Sequence, residues 1–237
     1  MRVIRFELEG ILNSFRVPFF KTYHKSFLTP PKSTIIGLLC NISLKNQKDF
    51  FELLNSDLIK VSVILKDLQG KAKDLWTYKL YEKKNFGKSV IRRDKLHLAK
   101  YIIYLEIEDK DLAEEILENL KEPKNTPALG LDDEIVKISN IKIVELENNS
   151  SNIVHSTLLT KNPKISDISQ IDNNLHLEMP TFYKIPTKFE AFDKKGKRKS
   201  KQPKEELLQV EFFNCSIEVS NIKSYYDAEY NMGVIFS

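Results

Sequence analysis

Hydrophobic and charged positions interleave from the first residues: Val3, Ile4, Phe6 and Leu8 stand among Arg2, Arg5, Glu7 and Glu9, the pattern of a half-buried strand over 2–8. The next periodic stretch has helical spacing. Ile35, Ile36, Leu38, Leu39 and Ile42 cover more than half the circumference of a helix over 33–44, with Ser33 or Thr34 placed to cap it and Pro31 where the entering chain is not yet helical. Gly37 inside this helix costs about 1 kcal/mol relative to Ala, so a strand or ligand is expected to approach closely there. Asp49–Asn55 predicts a short amphipathic helix and the β-branched run LIKVSVIL over 58–65 a strand. From 69 to 98 Trp76, Tyr78, Leu80 and Tyr81 mark one arm of a projecting β-hairpin, with KKNFGK as its tip and Asn85-Phe86-Gly87 as turn chemistry. A strand over 101–107, a helix over 109–120 opened by Asp109 or Asp111, a tight turn over 127–133 and a strand over 141–146 complete the series.

Collected, the order through residue 147 is β-α-β, a basic hairpin insertion, then β-α-β. That order predicts an α+β, ferredoxin-like (RRM-like) split βαβ domain over 1–147, with four antiparallel strands and the helices on one face. RNA-binding domains use this layout through an open sheet face and its loops, but metabolite-binding and metal-transfer domains share it. Residues 148–237 differ in texture. A polar linker, ENNSSN, precedes short strand-like runs over 154–159, 182–185, 207–213, 216–219 and 234–236. They predict a small β-rich C-terminal lobe that extends the first sheet or repeats its layout degenerately. The run DKKGKRKSKQPK over 193–204 reads as an exposed, mobile loop, more readily solubilising than binding.

Charge changes the picture more by its distribution than by its total of +4. Residues 66–100 hold eleven Lys/Arg against four Asp/Glu, whereas residues 105–150 hold five against thirteen. Between Glu9 and Asp49 there is no acid at all, and Arg16, Lys21, Lys25 and Lys32 are interleaved with Phe15, Phe19, Phe20, Tyr23 and Phe27. A basic, aromatic loop leading into a helix N-terminus suits a polyanion with stackable bases; an ordinary β-α connection whose aromatics fill core has the same composition. Cys40 and Cys215 lack metal-ligand spacing and read as buried small hydrophobes in a reducing compartment. The N-terminus lacks the apolar region of a signal peptide and no run reaches membrane-spanning length, which places the chain in the cytoplasm, away from membranes.

Five short patterns resemble the Cas-five branch of the RAMP superfamily of CRISPR-associated proteins. They are the first strand with Gly10, S-F-R-x-P at Ser14–Pro18, P-P-K-S-T-I-I-G-L-L at Pro30–Leu39, R-R-D-K-L at Arg92–Leu96 and P-A-L-G-L-D-D at Pro127–Asp133, in the family's order over about the first 145 residues. The small lobe and lysine-rich composition resemble the subtype I-B kind. The resemblance implies a subunit of Cascade, the crRNA-guided surveillance complex of type I systems, capping the backbone by holding the 5′ handle of the crRNA. It further implies contact with a Cas-seven backbone subunit, partly through a thumb hairpin, contact with the large subunit, and only indirect contact with target DNA. Under it Arg16, Lys32, Arg92 and Arg93 are the leading handle contacts, with Lys21, His24, Lys25, Ser33 and Lys88 completing the RNA-binding set.

No cofactor or metal is expected. Asp132-Asp133-Glu134 is unaccompanied by His and reads as solvated or capping acids, and no Gly-rich nucleotide loop is present. Metal-independent cleavage of repeat RNA, the alternative reading, would need a base and an acid near the phosphate, and a Tyr23, Lys95 and His97 set can be drawn. The cutting subtype places its Lys and His adjacent; here Leu96 separates them, which favours non-catalytic binding.

Overall fold

The computed structural model describes residues 1–20, 22–81, 86–192 and 198–236. It is sheet-rich α+β, mostly antiparallel, with three helices among the described residues. The first strand, β1 (Arg2–Asn13), outruns its expected end at residue 8 and is central in a four-stranded antiparallel sheet. Helices α1 (Lys32–Ile42) and α2 (Gln47–Asn55) follow, then β2 (Ile59–Tyr81), β3 (Phe86–Ile107), α3 (Lys110–Lys121) and β4 (Val136–Glu145). The order across the sheet is β2-β3-β1-β4. Ile4, Phe6 and Leu8 of β1 join Val61, Ile103 and Leu105 and meet Ile35, Ile36 and Leu39 of α1 in the main core, as the apolar spacing of both elements requires.

Three local expectations give way. The N-cap of α1 is Pro31, not Ser33 or Thr34, which already lie in the first turn; no side chain caps the helix, and the Pro31 carbonyl accepts the first intrahelical bonds, from the Thr34 and Ile35 N–H groups. Gly37 is not crowded: a Cβ there would first meet the Phe50 ring at 3.9 Å, ordinary contact. The hairpin over 69–98 is not an insertion between two strands. It is the outward run of β2 and β3, which pair continuously from Ile59↔Ile107 to Tyr81↔Phe86 with one register shift between Leu65 and Asp67. The apolar pattern stops where the core stops, and the ladder continues without it. The tip residues 82–85 lie outside the described residues.

The C-terminal part neither extends the first sheet nor repeats its layout. It forms three small three-stranded sheets from β5 (Glu147–Asn148), β6 (Ile153–Val154), β7 (Leu158–Thr160), β8 (Ile165–Gln170), β9 (Glu178–Phe192), β10 (Arg198–Phe213), β11 (Cys215–Val219), β12 (Tyr225–Asp227) and β13 (Met232–Val234). The supposed linker already contributes β5, paired with β12. Of the lysine run, 193–197 lie outside the described residues, whereas 198–204 belong to β10 and pair with β9 from Arg198↔Phe192 through Pro203↔Phe189. Cys40 and Cys215 are free and buried, as expected, and burial pushes both thiols up to about 11.

The second face of the first sheet, open in RNA-binding domains that use this layout, is covered here by the chain itself. Val3, Ile64, Ile102 and Tyr104 pack under Val234, with Tyr225, Tyr230 and Met232 against them. Arg5 lies beneath this cover, its side chain 1 % exposed, and its guanidinium meets Asp227 at 2.7 Å and Glu229 at 2.6 Å while stacking 4.2 Å from the Tyr230 ring centroid. The Tyr104 hydroxyl donates to the same Asp227 carboxylate at 2.9 Å. A buried pair of this kind tolerates loss of one partner badly, because the other charge stays behind unpaired. Asp227→Ala should therefore cost about 3–5 kcal/mol in urea unfolding, far more than Glu229→Ala, whose carboxylate is half exposed.

Candidate nucleic-acid interface

The loop after β1 is built on one buried carboxylate. Glu134, 2 % exposed, accepts from the Ser14 N–H at 2.7 Å, the Ser14 hydroxyl at 2.5 Å, the Leu131 N–H at 3.1 Å and the Lys95 ammonium at 3.0 Å. Of the acids expected at 132–134 to be solvated or capping, Asp132 and Asp133 are exposed, whereas Glu134 is buried and accepts from backbone N–H groups. Gly130 makes the fit possible: its φ is +111°, and a Cβ would stand 2.2 Å from a Glu134 oxygen and 2.6 Å from the Ser14 carbonyl. Beyond Ser14 the chain folds back on itself. The Val17 N–H donates to the Lys25 carbonyl and the Phe27 N–H to the Phe15 carbonyl, both at 2.8 Å, which sets Arg16 opposite Ser26. Phe15, Val17 and Phe27 fill core, and Phe19 is exposed.

The loop then attaches to the side of β3. The His24 N–H donates to the Arg92 carbonyl and the Asp94 N–H to the His24 carbonyl, each at 2.8 Å, making a parallel bridge between His24 and Arg93. Three separate stretches of sequence thereby bring Arg16, His24, Arg92 and Arg93 together at the base of the hairpin. Burial, then the charges of Arg16 and Arg93, lower the His24 pKa, so the ring is neutral at pH 7. Arg92 is exposed with its guanidinium 5.3 Å from the Tyr23 ring centroid, and Tyr23 packs on Phe20 at 5.0 Å. Lys25 stands over the same Phe20 ring and over Tyr183, whose hydroxyl raises its pKa through a hydrogen bond.

The register gives the hairpin two chemically different faces, since directly paired residues share a face. One carries Asp74 opposite Arg93 and Trp76 opposite Ile91. There Arg93 is neutralised, its Nε and Nη2 donating to Asp74 at 3.1 and 2.5 Å, and it stacks 4.6 Å from the Trp76 ring centroid. The other face carries Lys73 opposite Asp94, Leu75 opposite Arg92, Thr77 opposite Val90 and Lys79 opposite Lys88. Lys79, Lys88 and Arg92 are exposed, and no carboxylate among the described residues pairs with them. Lys73 and Lys79 were missed as site residues; the alternation of Lys71, Lys73 and Lys79 along β2 is the signal that could have found them.

Other expected site residues fall elsewhere. Lys32 and Ser33 stand on the first turn of α1. The charged neighbours of Lys32 are Asp57, Lys60, Lys188 and Glu205, and burial lowers its pKa. Ser33 lines a groove with Gly37, Phe50 and Leu131. Lys21 lies outside the described residues. Of the drawn cleavage set, Lys95 is 7 % exposed and held by Glu134, while His97 is exposed and paired with Gly70 and Leu12. Among the described residues no group of three or more His, Cys, Asp or Glu side chains could hold a metal ion, and no helix is long and apolar enough to cross a membrane.

A second buried carboxylate pins the loop's far end. Glu211 of β10 accepts from the Leu28 N–H at 2.8 Å and the Thr29 N–H at 3.4 Å. Desolvation outweighs those bonds and the Lys25 charge and pushes its pKa up to about 7.

A family model described as CRISPR-associated protein (Cas_Cas5) matches residues 3–204. Among solved structures, a chain of a "CRISPR RNA-guided surveillance complex" is 13% identical with a TM-score of 0.54 over 92% of this chain and 91% of that one. A CRISPR protein from Archaeoglobus fulgidus is likewise 13% identical, with a TM-score of 0.55 and 99% of each chain covered. At such identities the likeness is one of fold. No curated protein sequence matches the chain.

Because the folded pKa of Glu211 lies above its unfolded value of 4.5, its contribution to stability is fully present below pH 4.5 and is lost as pH rises through about 7. Glu211→Gln keeps an acceptor for Leu28 but cannot ionise. Urea titrations at pH 5 and pH 8 should show the variant gaining about 2–3 kcal/mol relative to wild type at the higher pH; an equal difference at both pH values would refute the assignment.

Proposed function

This chain belongs to the CRISPR-associated protein (Cas_Cas5) family, and from that membership we propose that it is a non-catalytic crRNA-binding subunit of a type I Cascade complex, of the subtype I-B kind. It holds the 5′ handle of the crRNA against the loop over 14–31 and the base of the β2-β3 hairpin, and it meets a Cas-seven backbone subunit and the large subunit. Residues 1–147 act as the ferredoxin-like RAMP domain, a reading supported by the strand order β2-β3-β1-β4 with helices between β1 and β2 and between β3 and β4. Residues 148–237 act as the accessory β-rich lobe.

One observation carries the RNA reading: on the hairpin face that they share, Lys79, Lys88 and Arg92 are paired with no carboxylate among the described residues. Lys79 and Lys88 are directly opposite, and like charges so placed destabilise a two-stranded ladder. A phosphate chain lying along this face removes that repulsion and releases its own counterions. The covered second face of the sheet offers RNA no stacking platform, so recognition rests on the loop and hairpin, with Tyr23 and the exposed Phe19 as the stacking surfaces. Arg93 serves the reading indirectly, by holding the hairpin base through Asp74. Lys95, tied to Glu134, is not free to assist a leaving group, which favours binding over cleavage.

Filter or anisotropy titrations with labelled repeat-derived handle RNA test this. Arg16→Ala and Arg92→Ala should each weaken binding by about tenfold at moderate salt and reduce the slope of log K against log salt by about 0.7 for each phosphate left without its cation. Unchanged affinity and slope in the double variant would overturn the site. In EDTA, repeat RNA should stay intact; a product that disappears with His97→Ala would establish the endoribonuclease instead.

A further inference from the structure

The loop after β1 sorts its side chains between two sides of the hairpin base. In the parallel bridge His24 and Arg93 are paired residues and share a side, with Asp74 across the ladder from Arg93. Tyr23, one residue earlier, turns to the other side and lies under Arg92. Arg16 stands opposite Ser26, two residues on from His24, which puts it on the side of His24, close enough for its charge to act on the imidazole. The two cations of this side are not equivalent. Arg93 is engaged by Asp74 and the Trp76 ring, whereas Arg16 is exposed and meets no carboxylate among the described residues. His24 itself is half-buried, and its backbone N–H and carbonyl are both bonded to β3 at 2.8 Å, so the main chain sets its place. Neither ring nitrogen has a hydrogen-bond partner among the described residues.

Resting on the reading of this surface as an RNA site, we propose that His24 is its base-reading residue: one nucleotide of the bound strand sets its phosphate on Arg16 and the edge of its base on the His24 imidazole. Three features divide the roles in this way. Burial and the charges of Arg16 and Arg93 keep the ring neutral, so it carries one N–H donor and one bare acceptor nitrogen. A base edge offers donors and acceptors and can use either nitrogen; a phosphate offers acceptors alone, and the free guanidinium of Arg16 meets it with a full charge. Discrimination between bases also needs a reader held in place, and the two backbone bonds to β3 hold His24 whether or not RNA is bound. The cations of the surface thus position the strand, and the one uncharged polar ring among them reads it.

The test is an abasic scan: the full chain is titrated by anisotropy with labelled repeat-derived handle RNA in which each nucleotide in turn keeps its phosphate but lacks its base. At the nucleotide read by His24, loss of the base should weaken wild-type binding about tenfold, the scale of one base contact, and leave the salt slope unchanged. His24→Ala should weaken binding of intact RNA about tenfold, and the same abasic position should then cost nothing further, because both changes remove one contact. His24→Gln, which keeps a donor and an acceptor, should recover part of the affinity and of the dependence on that position. Arg16→Ala should instead reduce the slope of log K against log salt by about 0.7 for its phosphate. A reduced salt slope in His24→Ala, or additive losses at every abasic position, overturns the base-reading role. Should wild type bind no handle RNA, the RNA reading falls and this role with it. Binding that weakens in Arg16→Ala, with no abasic position coupled to His24, removes this role alone.

Discussion

Four donors from three segments converge on the Glu134 carboxylate, and the placement of the basic surface follows from that convergence. Ser14 supplies two of them at the end of β1, Leu131 one within the turn, and Lys95 the fourth at the foot of the hairpin. A buried carboxylate so fully bonded does not need water, and breaking any one bond leaves charge exposed to a low-dielectric interior. The loop over 14–31 therefore starts from a defined point relative to β3. Its return to the flank of Arg93 then needs only the short excursion that the pairing of Val17 with Lys25 describes.

The C-terminal part takes over the sheet face that an RRM-like layout would leave free. Arg5 is the mark of that change: a cation in a strand that reads as half solvated is instead sealed under Tyr230 and paired with Asp227. With that face closed, the exposed cations without a carboxylate partner among the described residues lie on the hairpin and the adjoining loop. The acidic stretch after β3 lies on another side, around α3. One chain thus separates a surface suited to phosphate from one that repels it, as the charge segregation along the sequence anticipates.

Much of the N-terminal part was legible because its elements face one core. The spacing of Ile35, Ile36, Leu38, Leu39 and Ile42 and the alternation around Phe6 report burial directly. The long hairpin was legible as a hairpin but not as one ladder with the core strands, since no burial pattern marks a two-stranded ribbon in water. The roles of Glu134 and Glu211 were hidden for a different reason. Each is separated from its donors by more than a hundred residues, apart from Leu131 and Lys95 for Glu134, and a single acid gives no sign that it is buried. Arg93 shows the limit of motif reading: the sequence pairs it with Arg92 as a handle contact, whereas the register assigns them to opposite faces and joins Arg93 to Asp74.

From Gly70 to Tyr81 the β2 arm has β3 as its ladder partner, about 40 Å of ribbon at 3.3 Å per residue. An isolated two-stranded ribbon is marginal in water. Its outer rungs therefore open at a small fraction of the free energy needed to unfold the sheet behind them, while the rungs at Asp74–Arg93 open with the sheet. The hairpin is in that sense a separate cooperative unit hinged on a rigid one. Whatever lies along it fixes rungs that were exchanging, so part of the binding free energy is consumed as lost conformational entropy, and amide exchange along β2 and β3 becomes a direct record of where contact begins.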